Sequence, residues 1–115
     1  PGRFPKLRIG FLEISAEWLP YAYTDLAKRF RIKGKELKPD FLKQDRIFVA
    51  CETTDDIPYI VSKLGDSNIV IGSDYAHADS ATELMALANL SADPRLTPAL
   101  AKKIVSDNAR ALYGL

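Results

Sequence analysis

Asp74 and His77 stand three residues apart, just past the apolar run Ile69–Ile71, and His77 is the only histidine of the 115-residue chain. A carboxylate and an imidazole brought together can hold a metal ion or divide acid and base work between them. One histidine with one aspartate does not complete a zinc site, and a lone histidine is more often a hydrogen-bonded structural residue. Two further apolar runs, residues 7–12 and 47–51, also finish on acids, Glu13 and Glu52. Acids after strands commonly cap the next helix, so Asp74 is open to both readings on local grounds. Glu52, followed by Thr53, Thr54, Asp55 and Asp56, reads better as a cap or solvated loop.

Strands that are apolar on both faces belong in a parallel sheet covered by helices, whose carboxyl ends are where chemistry is placed. Right-handed crossovers bring all those ends to one side, so Glu13, Glu52 and Asp74 are expected on a common rim. The segments between the strands have helical spacing. Leu19, Tyr23, Leu26, Ala27 and Phe30 recur at threes and fours, with Pro20 suited to a first turn, and Ile57, Ile60, Val61 and Leu64 repeat the pattern. Asp55 or Asp56 can cap that second helix and Gly65 can end it. Residues 31–45 read as polar and irregular, with Gly34 and Pro39 as breakers.

Further on, Ser80-Ala81-Thr82-Glu83 has the form of a capping box, with Leu84, Met85, Leu87 and Ala88 expected as the buried face of its helix. A last helix is expected from Thr97-Pro98 through Leu100, Ile104, Val105, Ala109 and Leu112 to Gly114, with Asn108 bonded to neighbouring backbone. The class that results is α/β, with about three parallel strands and flanking helices. Such a sheet is incomplete, with two unpaired edges.

Composition narrows the function. A net charge of +1 gives no global attraction to nucleic acid, and the basic run from Lys28 to Lys38 lacks the interleaved aromatics of a stacking platform. Cys51 is the only cysteine, which excludes an internal disulfide and a cysteine-based zinc site. No apolar stretch reaches the roughly 18 residues of a membrane span. A soluble, cytoplasmic protein with a small-molecule partner, and neither nucleic acid nor membrane, is expected. The chain opens at Pro1 without a methionine, so its natural start is expected further upstream.

The stretch Gly72-Ser73-Asp74-Tyr75-Ala76-His77 resembles the "GSDYPH" segment of the metal-dependent amidohydrolase superfamily, in the branch of amidohydrolase-related hydrolases and aminocarboxymuconate-semialdehyde decarboxylase relatives. Phe4-Pro5-Lys6-Leu7 through Leu12-Glu13, with Trp18-Leu19-Pro20, is similar to that branch's "FPxLxxxxLE…WxP" segment. Lys38-Pro39-Asp40-Phe41 is similar to its "KPSEY" approach to the seventh strand, and Asn108-Ala109-Arg110-Ala111-Leu112-Tyr113-Gly114-Leu115 to its closing "NAxxLYGL" helix. The resemblance covers nearly the whole chain, in order.

The resemblance implies the carboxyl-terminal part of a (β/α)8 TIM barrel, residues 1–115 forming one partial domain with strands six to eight. It implies a metal-dependent hydrolase acting on a small carbonyl or carboxylate substrate through activated water, with Asp74 as metal and catalytic residue and Glu13 as a second catalytic residue. His77 and Ser73 would support the loop. The ion implied is divalent, zinc by the family habit, with histidine ligands from residues preceding Pro1. The chain alone would then be inactive, and its partners would be the rest of the barrel and, at full length, a second copy. Non-oxidative decarboxylation on the same site is the alternative, and a barrel that has lost its metal is another. Glu13 stands where many relatives have histidine; it can accept a proton, ligate a metal, or bond to Trp18 or nearby backbone. Ala76 stands where the pattern has proline, a loss expected to loosen the turn.

Overall fold

The computed structural model describes residues 3–78 and 82–115. Its centre is a three-stranded parallel sheet in the order β1 (Ile9–Phe11), β2 (Ile47–Cys51), β3 (Ile69–Ile71), with Ile9 opposite Ile47 and Val49 opposite Ile69. Helix α1 (Leu19–Ile32) and the short α2 (Phe41–Asp45) join β1 to β2, and α3 (Ile57–Leu64) joins β2 to β3. Helices α4 (Ala86–Ser91), α5 (Pro98–Lys102) and α6 (Asn108–Tyr113) follow, a π-helical turn at Lys103–Asp107 linking the last two.

Alternation along β2 sends side chains to two cores. Val49 and Cys51, with Ile69 of β3, face a cluster that includes Leu19, Ile57, Ile60, Leu64, Leu90 and Ile104. Phe48 and Ala50, with Val70, face a smaller cluster closed by Ala109 and Leu112. Each isoleucine enclosed in the larger core contributes about 2 kcal/mol of transfer free energy. Pro20 and Pro58 lie in the first turns of α1 and α3, where a missing N–H costs nothing, and Asp56 caps α3 by accepting from the Tyr59 amide.

The final helix passes along the free edge of β3. The Asn68 carbonyl pairs with the Val49 amide inside the sheet, so the Ile69 carbonyl points outward, and there Asn108 donates to it and to the Asp66 carbonyl, each at 2.7 Å. Buried Asn108 thus satisfies an edge that would otherwise be open. The π turn re-aims the helix here: Ile104 reaches the larger core, whereas Ala109 and Leu112 reach the smaller one. Asn68, also buried, donates to the Ile47 and Leu42 carbonyls and fixes where β3 starts. Gly114 ends α6 at a φ of 75°, a left-handed conformation that favours glycine, with the Arg8 guanidinium lying beside it.

Three expectations are corrected. Strand β1 is exposed rather than buried, because it is an edge strand paired with β2 on one side and with no strand on its other side among the described residues. Residues 41–45 are helical: Gln44 donates to Asp40 one turn back, and Arg46 ends the turn in the left-handed region. In α4 the buried side is Ala86 and Leu90, and Leu84, Met85 and Leu87 are exposed. The helix begins at Ala86, several residues later than a cap at Ser80 would place it, and this shifts the inward stripe. The capping box itself starts at Ser80, outside the described residues.

Cys51 is a free thiol in the larger core, and burial, with the nearby Asp55 charge second, pushes it up to about 12. Thiolate is the reactive form, so at pH 8 native protein is expected to react with a thiol reagent at least ~100-fold more slowly than protein in urea. Comparable labelling rates in the two conditions would contradict this packing.

Candidate metal centre

Strands β1, β2 and β3 run parallel, so their carboxyl ends share a rim, and the acids that follow them line one cleft of about 160 Å³ with Leu12, Ala50, Val70, Ile71 and Leu112. Glu13, Glu52 and Asp74 all border it. Asp74 is the most enclosed of the reactive set, its side chain 7% exposed. The His77 Nδ1 lies 3.1 Å from Asp74 Oδ1 and 3.7 Å from Glu13 Oε2. One donor atom from each of Glu13, Asp74 and His77 falls within 4.8 Å of the others, a spacing a single cation can bridge. Two carboxylate oxygens and an imidazole nitrogen form a donor set that suits a divalent ion. Glu52 stays on the cleft wall, outside that set.

Backbone geometry aims these groups. Glu13, Ser15, Asp74 and Ala76 adopt φ values of 62°, 58°, 48° and 72°. The left-handed region costs a non-glycine residue roughly 1 kcal/mol, and it persists only where surroundings impose it. Around Asp74 the imposing contacts are the His77 amide on the Asp74 carbonyl, Thr82 Oγ1 on the His77 carbonyl at 2.6 Å, and the Glu83 amide on the Ser73 carbonyl at 3.0 Å. Ser73 therefore supports the loop through its backbone. The Glu83 carboxylate accepts from Thr53 and Asn89, which ties the loop after β3 to the loop after β2.

The turn bearing Glu13 is held by a residue that sequence reasoning offered only as a helix cap. Asp55 is buried and accepts from Ser15 Oγ at 2.7 Å, the Ala16 amide at 2.8 Å and the Glu52 amide at 2.9 Å. Arg95, from the far end of the chain, donates to the carbonyls of Asp55 and Thr53, and it holds the Asp93 carboxyl below its usual range through a side-chain hydrogen bond. Trp18 donates its indole N–H to the Ser15 carbonyl at 2.8 Å and packs edge-on against Phe11, so it braces the same turn and is not the partner of Glu13. The four-residue run Thr53-Thr54-Asp55-Asp56 was the available signal for Asp55, but nothing local separates a cap from a cross-brace.

The turn after Asp74 departs from the proline pattern. Ala76 has a φ of 72°, and a proline ring would fix φ near −65°. The alanine is therefore part of this turn's conformation.

No family model and no curated protein matches the chain. Its fold is shared with a solved structure described as an amidohydrolase from Mycobacterium avium subsp. paratuberculosis K-10, at a TM-score of 0.68 and 24% identity. The match covers 96% of this chain and 29% of that one. A likeness at this identity establishes a common fold: a mixed α/β unit with a three-stranded parallel sheet that matches part of an amidohydrolase chain. No helix among the described residues is long and apolar enough to cross a membrane.

Two substitutions test this geometry. Asp55→Ala strands three donors, and is expected to lower unfolding free energy by about 3 kcal/mol in urea titrations; a loss under ~1 kcal/mol would mean water replaces the carboxylate. Ala76→Pro is expected to cost roughly 1–3 kcal/mol in the same measurement, although proline fits the family pattern. An unchanged midpoint for that variant would show that the turn is not held left-handed.

Proposed function

We propose that this chain is the carboxyl-terminal part of a metal-dependent hydrolase built on a (β/α)8 barrel, acting on a small substrate with a carbonyl or carboxylate group. The observation that carries the reading is the enclosed Asp74 carboxylate at the carboxyl end of a parallel strand, 3.1 Å from an imidazole and open to a cleft. The shared fold with part of an amidohydrolase supports it, as does the exposed edge of β1, where further strands would pair. Because the chain spans 29% of the length of that neighbour, histidine ligands and most pocket loops would come from the remainder of the barrel.

A divalent ion at this rim, zinc by the resemblance, supplies the acidity that brings water to reactivity near neutral pH and polarises a carbonyl. Asp74 would take the proton such a water gives up, and Glu13, across the cleft, would serve as a second acceptor or as an oxygen ligand. His77, its Nδ1 3.1 Å from Asp74 Oδ1, would orient that carboxylate. Ala50, Val70 and Leu112 give the cleft an apolar floor beside the carboxylates. That same floor favours a second reading, non-oxidative decarboxylation, because a carboxylate over an apolar surface is destabilised relative to the carbon dioxide it releases.

The full-length protein, supplied with zinc or manganese, is expected to hydrolyse members of an ester and lactone panel, with Asp74→Asn lowering kcat/KM at least ~100-fold. Release of carbon dioxide from aromatic acids without hydrolysis would select the decarboxylase. Undiminished turnover by Asp74→Asn would remove both readings.

A further inference from the structure

We infer that Glu13 and His77 are themselves ligands of the divalent ion, beside Asp74, and that the ion's site on this part of the protein is a mixed oxygen and nitrogen set of manganese(II) type. The inference rests on the proposed metal site and deepens it, since the resemblance assigns the ion to Asp74, leaves the role of Glu13 open between proton acceptor, ligand and backbone partner, and gives His77 only loop support.

Geometry and charge argue for it separately. Neighbouring ligands on an octahedral ion with bonds near 2.1 Å stand about 3 Å apart. The His77 Nδ1 to Asp74 Oδ1 separation is 3.1 Å, and the 3.7 Å from Nδ1 to Glu13 Oε2 closes with a small rotation of the carboxylate. Glu13 comes from the end of β1 and Asp74 and His77 from the loop after β3, and one ligand atom from each lies within 4.8 Å of the others. Charge is the second consideration. The Asp74 side chain is 7% exposed, and its described partners are one imidazole and the Thr82 hydroxyl at 3.4 Å. Glu13 adds a second carboxylate to the same imidazole. No lysine or arginine among the described residues forms an ion pair with either acid. An enclosed carboxylate without a fixed cation is costly, and Asp74, with the exposed Glu13 carboxylate facing the same imidazole, leaves room for a divalent charge.

Donor chemistry indicates the kind of ion. Carboxylates suit oxygen-preferring ions such as manganese and magnesium, whereas imidazole suits zinc, copper and nickel. A glutamate at position 13 in place of a histidine moves the set towards the first group. The cleft beside it, open on one side, leaves positions for water or for a substrate oxygen.

The test is manganese(II) binding to metal-stripped full-length protein, followed by the electron paramagnetic resonance of the free ion. The parent is expected to bind one ion at this rim. Glu13→Gln and His77→Asn, which keep hydrogen-bonding groups in place, are each expected to weaken binding at least ~10-fold with the melting midpoint of the metal-free protein unchanged. Glu13→His is expected to raise the preference for zinc over manganese by at least ~10-fold. Affinities of Glu13→Gln and His77→Asn within ~2-fold of the parent overturn the inference. If Asp74→Asn still abolishes turnover in that case, the hydrolase reading survives it. Weakened binding in both variants, with no hydrolysis of any substrate, leaves the ligand set standing and sinks the reading on which it was built. Failure of the parent to bind manganese or zinc overturns the ligand set outright.

Discussion

A single buried carboxylate sets the geometry of this rim. Asp55 follows β2, yet its oxygens are spent on the turn after β1 and on the first amide beyond β2. Loops at the end of a parallel sheet have no ladder to hold them, and their amides must find partners or remain in water. Asp55 satisfies two amides and one hydroxyl at once, and in doing so fixes the distance between the strand ends that carry Glu13 and Glu52. Arg95 completes the arrangement from the other side by gripping backbone carbonyls on either side of Thr54. This brace, with the Trp18 indole on the Ser15 carbonyl, holds the left-handed turn at Glu13 in its costlier conformation.

How much of this could be read in the sequence depended on range. Strands β2 and β3, helix α3 with its glycine stop, and the Thr97 cap are local, and their bounds agree with their patterns. Asn108 was expected to bond backbone, which it does. The failures arose where a distant contact outweighed a local one. Leu84, Met85 and Leu87 look like the inner stripe of a helix starting at Ser80, but the loop between Ser73 and Glu83 is tied down by Thr82 and Glu83, and the helix starts later with a different side inward. Asp55 and Arg95, 40 residues apart, gave no periodic signal at all. Even so, the acids that would share a rim were legible, because strand direction alone sends them there.

The two faces of the sheet are unequal in a way that bears on the site. The larger core, with Val49, Cys51 and Ile69, is enclosed by α1, α3 and α4, and is that of a self-sufficient layer. The other face has only Phe48, Ala50 and Val70 under the last turns of α6. The cleft opens beside this thinner cover, with Ala109, Leu112 and Tyr113 along one wall. Position of the last helix therefore controls both the unpaired edge of β3 and the mouth of the cleft. The π turn lets one helix do both, since it places Ile104, Asn108 and Leu112 on three different surfaces.

The alanine at position 76 reads differently once the turn is seen. As a missing proline it suggests a looser loop, an argument that holds if the backbone stays the same. Here Asp74 and Ala76 are both left-handed, and the chain folds back tightly enough for the His77 amide to reach the Asp74 carbonyl. That reversal is what returns the imidazole towards Asp74 and Glu13. A proline at 76 could not take this φ, so the chain would leave Asp74 on another path and carry the imidazole with it. The alanine at 76 and the position of His77 at the rim are thus two aspects of one backbone choice.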